Sequence, residues 1–201
     1  MKNQRITSLL ILICMACLSG HTLVFSNYSP LVPNEKQLIL NTYPSTASIH
    51  SFPFELSPAL KRDIERSVRF KLTDTFNMYQ IVDTQSESKI GTAIVCNYLG
   101  KHQPITFLIK LTKNGLYTES VSVLAYREDI GGQIKHPRFL AQFKNKSIND
   151  PIQINHDIDG ITGATLSARS TTWATKSALA IADSIKKLAM TPPSVKETHS
   201  K

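Results

Sequence analysis

The chain has 201 residues, of which 41 % are apolar and 7 % aromatic. This composition supports one domain of ordinary size with a normal hydrophobic core, and it excludes a broadly disordered chain. The formal net charge is +8, but the basic residues are scattered, without an arginine-rich helix or a base-stacking aromatic array, so nucleic acid is not expected as a partner. The charge instead favours anionic lipid headgroups or acidic partner proteins.

The N-terminus has the organisation of an export signal. Two basic residues, Lys2 and Arg5, precede an apolar segment over residues 6–20. Its most apolar part has the length of the apolar region of a signal peptide and is shorter than the ~20 residues that span a bilayer. We interpret residues 1–20 as a signal peptide, with a retained membrane anchor as the alternative. Both interpretations place the rest of the chain in the periplasm or at the outer face of the cytoplasmic membrane.

Cysteine and histidine usage predicts no metal site. Cys14 and Cys17 lie inside the export segment, which leaves Cys96 as the one cysteine of a processed chain. An internal disulfide or a cysteine metal cluster is therefore not expected. The six histidines are spread along the chain without ligand-like spacing, and the sequence has no hydrolase signature, P-loop or nicotinamide fingerprint.

The first third of the chain predicts an irregular segment followed by a helix. Residues 27–56 contain four prolines and many Ser, Thr and Asn residues, a composition typical of a linker or an irregular wrap. Ser57 is a favourable N-cap and Pro58 a favourable first-turn residue. Apolar residues then recur every four positions, which predicts a helix over residues 57–76 packed on the core. These residues are Leu60, Ile64, Val68, Leu72 and Phe76.

The middle of the chain predicts antiparallel strands. Residues 90–99 form the first, and a hairpin follows in which Asn114 and Gly115 make the turn, because both residues tolerate positive φ. The second strand of the hairpin is expected over residues 116–124. One face of the first hairpin strand carries apolar residues at every second position. They are Ile105, Phe107, Ile109 and Leu111.

A broad apolar pattern predicts the last helix. Ser170 or Thr171 is the expected N-cap, and the helix is expected to end near Met190, before two consecutive prolines. Residues 191–201 are expected to form a disordered tail. These elements together predict an α+β fold, in which an antiparallel sheet over residues 90–125 carries packed helices at 57–76 and 170–190.

The segment before the last helix places small residues and hydroxyls at a junction between loop and helix. Its sequence is Asp159-Gly160-Ile161-Thr162-Gly163-Ala164-Thr165-Leu166-Ser167. Gly163 has no Cβ and allows a ligand to approach the backbone closely. Because the amides that open a helix lack intrahelical partners and the helix dipole adds positive potential, such a junction favours a phosphate. Ser167 is expected either to cap the helix or to bond the phosphate.

This segment resembles the flavinylation motif of bacterial FMN-binding domains, roughly Asp-x-x-Ser/Thr-Gly-Ala-Thr. The family includes the G subunit of the Rnf electron-transport complex and the C subunit of the sodium-translocating NADH:quinone reductase. In these proteins a flavin transferase attaches FMN through its phosphate to the final threonine. The resemblance implies that this residue is Thr165, and the other motif positions are filled by Asp159, Thr162, Gly163 and Ala164.

A loop that contains glutamate and glycines precedes the motif and is similar to the second signature of the family. The resemblance implies that Gly131 and Gly132 let backbone amides approach the isoalloxazine ring, and that Glu128 and Gln133 are its polar partners unless they lie in solvent. Phe139 is a candidate to pack against the ring, with an ordinary place in the core as the alternative. The loop lacks the Glu-Thr-Pro-Gly-x-Gly sequence of the two named subunits, so membership of either complex is not implied.

These features lead to the hypothesis of an exported electron carrier whose FMN-binding domain, residues 57–190, holds a covalent FMN on Thr165. Its expected partners are the flavin transferase and redox donor and acceptor proteins at the membrane. No metal, no catalytic residues and no small-molecule substrate site of its own are expected. Two alternatives remain, namely an Rnf-like G subunit anchored in a membrane complex by its N-terminal segment, and a non-redox binding module with the same fold.

Overall fold

The computed structural model describes residues 30–52, 56–74 and 76–190, in which five antiparallel strands form one sheet and each strand pairs with its neighbours in sequence. The strands are β1 (Ala47–Phe52), β2 (Phe76–Asp83), β3 (Ser88–Leu99), β4 (Pro104–Leu111) and β5 (Thr118–Ala125). The helices are α1 (Glu35–Leu40), α2 (Pro58–Val68), α3 (Pro137–Ala141) and α4 (Thr165–Met190), and a 3-10 turn over Gly132–Lys135 precedes α3. The predicted α+β fold is therefore confirmed.

The central strands β3 and β4 are buried on both faces of the sheet, which explains their nearly continuous apolar runs. The predicted alternation of β4 is confirmed, because its four apolar residues from Ile105 to Leu111 join the core under α4, whereas Leu108 joins the core on the opposite face. On α4, Ala174 and Ala178 are fully buried. Their small side chains let the helix lie close to the sheet.

The opposite face of the sheet is covered by α1, which is held there by a buried carboxylate. Glu35 is 1 % exposed and accepts hydrogen bonds from the backbone N–H of Leu31 at 2.6 Å and from the Tyr79 hydroxyl at 2.5 Å. The Asn77 amide of β2 donates to the same carboxylate at 2.9 Å. Because a buried carboxylate is costly without partners, these donors fix α1 and the segment before it to β2.

An aromatic cluster joins the loop after α2 to β3 and α4 at one side of the core. Trp173 of α4 stacks on Phe70, with ring centroids 5.8 Å apart and an interplanar angle of 25°. Tyr98 of β3 lies 6.4 Å from both rings, and its hydroxyl is hydrogen bonded to Ser177. The cluster fixes the first half of α4 against β3, and so it helps to set the direction from which the helix begins.

The predicted helix over residues 57–76 is wrong beyond Val68. Ser57 caps α2 as expected, accepting the backbone N–H of Leu60 at 3.2 Å. The helix ends because Arg69 takes a left-handed backbone conformation with φ of 63°. Leu72 is still buried, but it lies in the following loop, and Phe76 begins β2. The four-residue recurrence of apolar residues therefore continued past the end of the helix by coincidence.

Two other expectations need correction. Residues 27–56, predicted as a linker or an irregular wrap, contain α1 and the edge strand β1, which pairs with β2 along its whole length.

The last helix begins at Thr165, five residues before the predicted cap. Ser170 and Thr171 are interior helix residues, whose hydroxyl oxygens lie 3.0 Å from the carbonyls of Leu166 and Ser167, one turn earlier. Hydroxyls that bond the preceding turn in this way do not cap a helix.

The expectations for residues 1–20 and 191–201 lie outside the residues that the structure describes. Across residues 30–52, 56–74 and 76–190, none of the helices combines the length and the apolar character that crossing a bilayer requires.

Candidate functional site

Thr165, the threonine of the predicted motif, is the first residue of the 26-residue helix α4 and is exposed. The turn before it is held by Ala164, which is buried and whose N–H donates to the Ile161 carbonyl at 3.0 Å. Gly163 has φ of +80°, and a Cβ built on it would meet no atom within 4 Å. The motif thus directs Ala164 into the core and leaves the Gly163 backbone and Thr165 open to a ligand.

The first turn of α4 has the electrostatics of an anion site. The backbone N–H groups that open an α-helix have no intrahelical acceptor, and the helix dipole places positive potential at the same end. The described first turn contains no acidic residue that would oppose a bound anion. A phosphate ester on the Thr165 hydroxyl would therefore lie where backbone geometry favours negative charge.

The residues of the motif that precede α4, 159–164, form a segment that we call the motif loop. A groove of about 440 Å³ lies between the motif loop and the segment around α3. It is lined by Gln133, His136, Arg138, Phe139, Gln142, Asp159, Gly160 and Ile161. The Gln142 side-chain carbonyl accepts the backbone N–H of Asp159 at 2.7 Å and so ties the motif loop to the end of α3. The structure thus brings together Gln133, Phe139 and Asp159 of the predicted site residues.

Phe139 lies at the boundary between the groove and the core. Its side chain is buried, and its ring meets the edge of Phe143 with centroids 5.4 Å apart. Phe139 therefore has the place in the core that the sequence analysis gave as its alternative, and it also lines the groove. With Ile161 it gives the groove an apolar wall, whereas Gln133 and Gln142 supply amide groups that donate and accept hydrogen bonds.

Tyr126 directly follows β5 and joins the loop over residues 128–133, called the glycine loop below, to the first turn of α4. Its hydroxyl donates to the Ile130 carbonyl at 2.5 Å and lies 3.0 Å from the Ser167 Oγ. Since the single Tyr126 proton is given to Ile130, the Ser167 hydroxyl is the donor of the second bond. Ser167 is 3 % exposed. It is the third residue of the helix, so the expectation that it caps the helix is wrong.

Gly131 is a glycine because two side chains occupy the place of its Cβ. Its φ is +95°, and a Cβ built on it would lie 2.5 Å from the Tyr126 hydroxyl and 2.6 Å from the Ser167 Oγ. Gly132 begins the 3-10 turn and has more space, since its nearest contact would be 3.6 Å away. The two glycines therefore differ in role, and Gly131 is the one that lets the loop lie against α4.

Glu128 is held away from the groove by the turn between β3 and β4. Its Oε1 accepts the backbone N–H groups of His102 and Gln103, the latter at 2.9 Å. These backbone hydrogen bonds, chiefly that of His102, hold the pKa of the Glu128 carboxyl below its ordinary value. The carboxylate does not line the groove. Its observed role is to fasten the glycine loop to the turn before β4.

The loop that leads into the motif is fixed by an ion pair between Lys146 and Asp157. The Lys146 Nζ lies 2.8 Å from the Asp157 Oδ2, and both side chains are largely buried. The carboxylate also accepts the backbone N–H groups of Ile152 at 3.1 Å and Gln153 at 2.8 Å. Burial alone would raise the pKa of the Asp157 carboxyl, but the hydrogen bonds from Lys146 and the two amides lower it.

The sequence did not identify Tyr126, Arg138, Gln142 or Ile161 as parts of the site. A partial signal was present, because Pro137 after His136 is typical of a helix start. The His136 Nδ1 indeed accepts the backbone N–H of Arg138 at 3.3 Å and caps α3. Among the described residues, no group of three or more His, Cys, Asp or Glu side chains is arranged to hold a metal ion.

Comparison with known proteins agrees with this geometry. Residues 100–180 match the family model described as FMN-binding domain, which confirms the resemblance seen in the motif. The match covers β4, β5, the groove and the first turns of α4, whereas β1 and β2 lie outside it. No curated protein matches the chain.

Proposed function

Residues 100–180 are an FMN-binding domain, and from this premise we propose that the protein is an exported electron carrier whose FMN is attached through its phosphate to Thr165. The observation that carries the proposal is the position of Thr165. Its exposed hydroxyl stands at the first residue of a long helix, after a glycine whose Cβ side is open. An esterified phosphate at that point is favoured by the helix amides and the helix dipole.

The groove beside the motif fits the remainder of the cofactor. Its volume of about 440 Å³ lies within the range of small-molecule sites, roughly 300–1,000 Å³. The apolar wall made by Phe139 and Ile161 suits one face of an isoalloxazine ring. The amides of Gln133 and Gln142 suit the carbonyls and nitrogens at the ring edge, and Arg138 supplies a fixed positive charge there.

The attachment requires a flavin transferase and an activated donor. A hydroxyl and a free phosphate do not condense spontaneously in water, so the donor must be a flavin dinucleotide whose phosphoanhydride bond breaks. As the bond between the Thr165 Oγ and the FMN phosphorus forms, AMP leaves and the threonine proton passes to a base of the transferase. No oxidation or reduction accompanies this step, and the isoalloxazine ring is left chemically unchanged.

Covalent attachment has a physical advantage outside the cytoplasm. A dissociated FMN would be diluted into the surroundings, whereas a tethered FMN keeps a high effective concentration at its groove. When bound, the flavin supplies the electron-accepting and electron-donating chemistry. The residues of the chain bind and orient it and limit the access of water, and redox partner proteins at the membrane supply and remove the electrons.

The test is the intact mass of the mature protein, co-expressed with a flavin transferase in an exporting bacterium. We expect an added mass of one FMN less one water, absent from Thr165→Ala and retained in Thr165→Ser, which keeps the hydroxyl. The same spectrum reports whether the N-terminal segment is removed, and a retained segment would favour the anchored subunit. An unmodified mass beside an active transferase would contradict the proposal and favour a non-redox binding module.

A further inference from the structure

Three exposed apolar residues surround the helix end that carries Thr165. Leu99 is 60 %, Ile130 72 % and Leu166 46 % exposed. They come from three segments of the chain, namely the end of β3, the glycine loop and the first turn of α4. Single exposed apolar residues need no explanation, but three that converge on one functional position indicate an interaction surface.

Hydrogen bonds fix the three segments against one another. The Ser170 hydroxyl donates to the Leu99 carbonyl at 2.5 Å and lies 3.0 Å from the Leu166 carbonyl, one turn earlier on α4. The Ile130 carbonyl accepts from Tyr126, which is bonded to Ser167, the residue after Leu166. The backbones of Leu99, Ile130 and Leu166 therefore meet at the first turn of the helix. We call these three residues the apolar rim.

The charged residues around the apolar rim are mostly basic. The surrounding segments, residues 99–103, 126–135 and 165–170, contain Lys101, Arg127, Lys135 and Arg169 against Glu128 and Asp129, which gives four positive and two negative charges and a net charge of +2. All four basic residues are exposed. The Glu128 carboxylate is held by the backbone amides of the β3–β4 turn. The local surface thus repeats the basic character of the whole chain.

We infer that the apolar rim is the docking surface for an acidic electron-transfer protein, which exchanges electrons with the flavin proposed at Thr165. The inference rests on the proposed function. An apolar centre within a basic border is complementary to an acidic partner that carries its own apolar contact. Three apolar side chains suit the small, transient interfaces of redox encounters, which bury less than about 1,200 Å².

The opposite charges determine the rate at which such partners meet. Electrostatic attraction raises the association rate and is weakened by salt, whereas a small apolar contact leaves dissociation fast. A carrier needs both properties, since it must bind and release a partner in every turnover. The apolar rim lies at the helix end to which the proposed function attaches the flavin phosphate.

The test uses stopped-flow reduction of the flavinylated protein by a plant-type ferredoxin, an acidic iron–sulfur protein. Each encounter oxidises the ferredoxin cluster by one electron and reduces the flavin by one electron. The matched variants are Lys101→Glu and Lys113→Glu, which change the exposed turns at opposite ends of β4 and alter the net charge equally. Leu38→Gln, on α1, is the control for Ile130→Gln.

We expect the second-order rate constant to fall with ionic strength and to fall about threefold or more in Lys101→Glu, with little change in Lys113→Glu. Ile130→Gln is expected to slow reduction by ferredoxin severalfold, while the flavin absorption spectrum, the flavin potential and the rate at which a small uncharged quinone reoxidises the reduced flavin stay unchanged. Leu38→Gln should match the wild type in the rate with ferredoxin, the flavin spectrum, the flavin potential and the rate with the small uncharged quinone.

Equal effects of the two lysine variants would overturn the inference, because net charge alone would then explain the rate. A changed flavin spectrum or potential in Ile130→Gln would also overturn the inference, since the apolar rim would then contact the flavin ring and not a partner protein. Both results leave the proposed function intact, which fails separately if the protein carries no FMN mass.

Discussion

The hydroxyl oxygens of Tyr126 and Ser167 lie 3.0 Å apart, although the two residues are 41 positions apart in the sequence. This hydrogen bond joins the end of β5 to the first turn of α4, two residues after Thr165. Because Tyr126 also holds the Ile130 carbonyl, one side chain sets the position of the glycine loop relative to the proposed flavin attachment.

Tyr126→Phe is expected to loosen the glycine loop without unfolding the domain. The substitution removes two hydrogen bonds of a part-buried hydroxyl and should lower the free energy of unfolding by about 1–2 kcal/mol. In the flavinylated protein, we also expect a changed flavin fluorescence yield, which a purely remote loss of stability would not produce. Urea denaturation and flavin emission measure the two effects. Tyr117→Phe, an exposed tyrosine, is the control and should change neither.

Gly131→Ala is expected to destabilise the protein more than Gly163→Ala. Both glycines have positive φ, so alanine is strained at either position by about 1–2 kcal/mol. Only at Gly131 would the new Cβ also collide with Tyr126 and Ser167, and this overpacking should add about 1–3 kcal/mol. Denaturation of protein prepared without the flavin transferase compares the two variants directly. Equal losses of stability would show that the contact among the three residues is not tight.

Asp157→Asn is expected to destabilise the protein at neutral pH and much less in acid. The pKa of Asp157 is lowered in the folded state, so its contribution is present above the unfolded pKa, about 3.9. It is lost as the pH falls through the folded pKa. We expect a loss of about 1–3 kcal/mol at neutral pH. Urea denaturation at several pH values tests this, with exposed Asp129→Asn as the control. A difference from the wild type that does not shrink in acid would contradict the ion-pair explanation.

The sequence was sufficient to predict the elements whose signals are local. Asn114 and Gly115 predicted the hairpin because the turn depends on the backbone preferences of those residues, and Gly115 indeed has φ of +73°. The alternation in β4 predicted which face of the strand packs under the helix. The motif around Thr165 predicted a junction between loop and helix, and the structure places Thr165 at the first residue of α4.

The elements that were missed depend on contacts between distant residues. The helix α2 ends because Arg69 has a left-handed backbone conformation, and the sequence has no glycine there that would indicate it. The start of β2 was missed because the four-residue apolar recurrence of the helix continues to Phe76. Ser170 and Thr171 were mistaken for caps because a hydroxyl inside a helix and one at its start are indistinguishable in sequence. The bond between Tyr126 and Ser167, and the attachment of Glu128 to the β3–β4 turn, need the folded sheet to bring their partners together.

The stacking of Trp173 on Phe70 holds a natural donor for fluorescence energy transfer at a fixed place in the protein. Trp173 is the single tryptophan of the chain and follows Thr165 on α4 by eight residues, roughly 12 Å along the helix axis. Its emission overlaps the absorption of a flavin, so excitation energy would pass from one to the other over such a distance. Because Phe70 and Tyr98 hold the indole in place, a change in that transfer would report movement of the flavin alone. The natural sequence can therefore show whether the proposed flavin moves relative to α4, without any attached label.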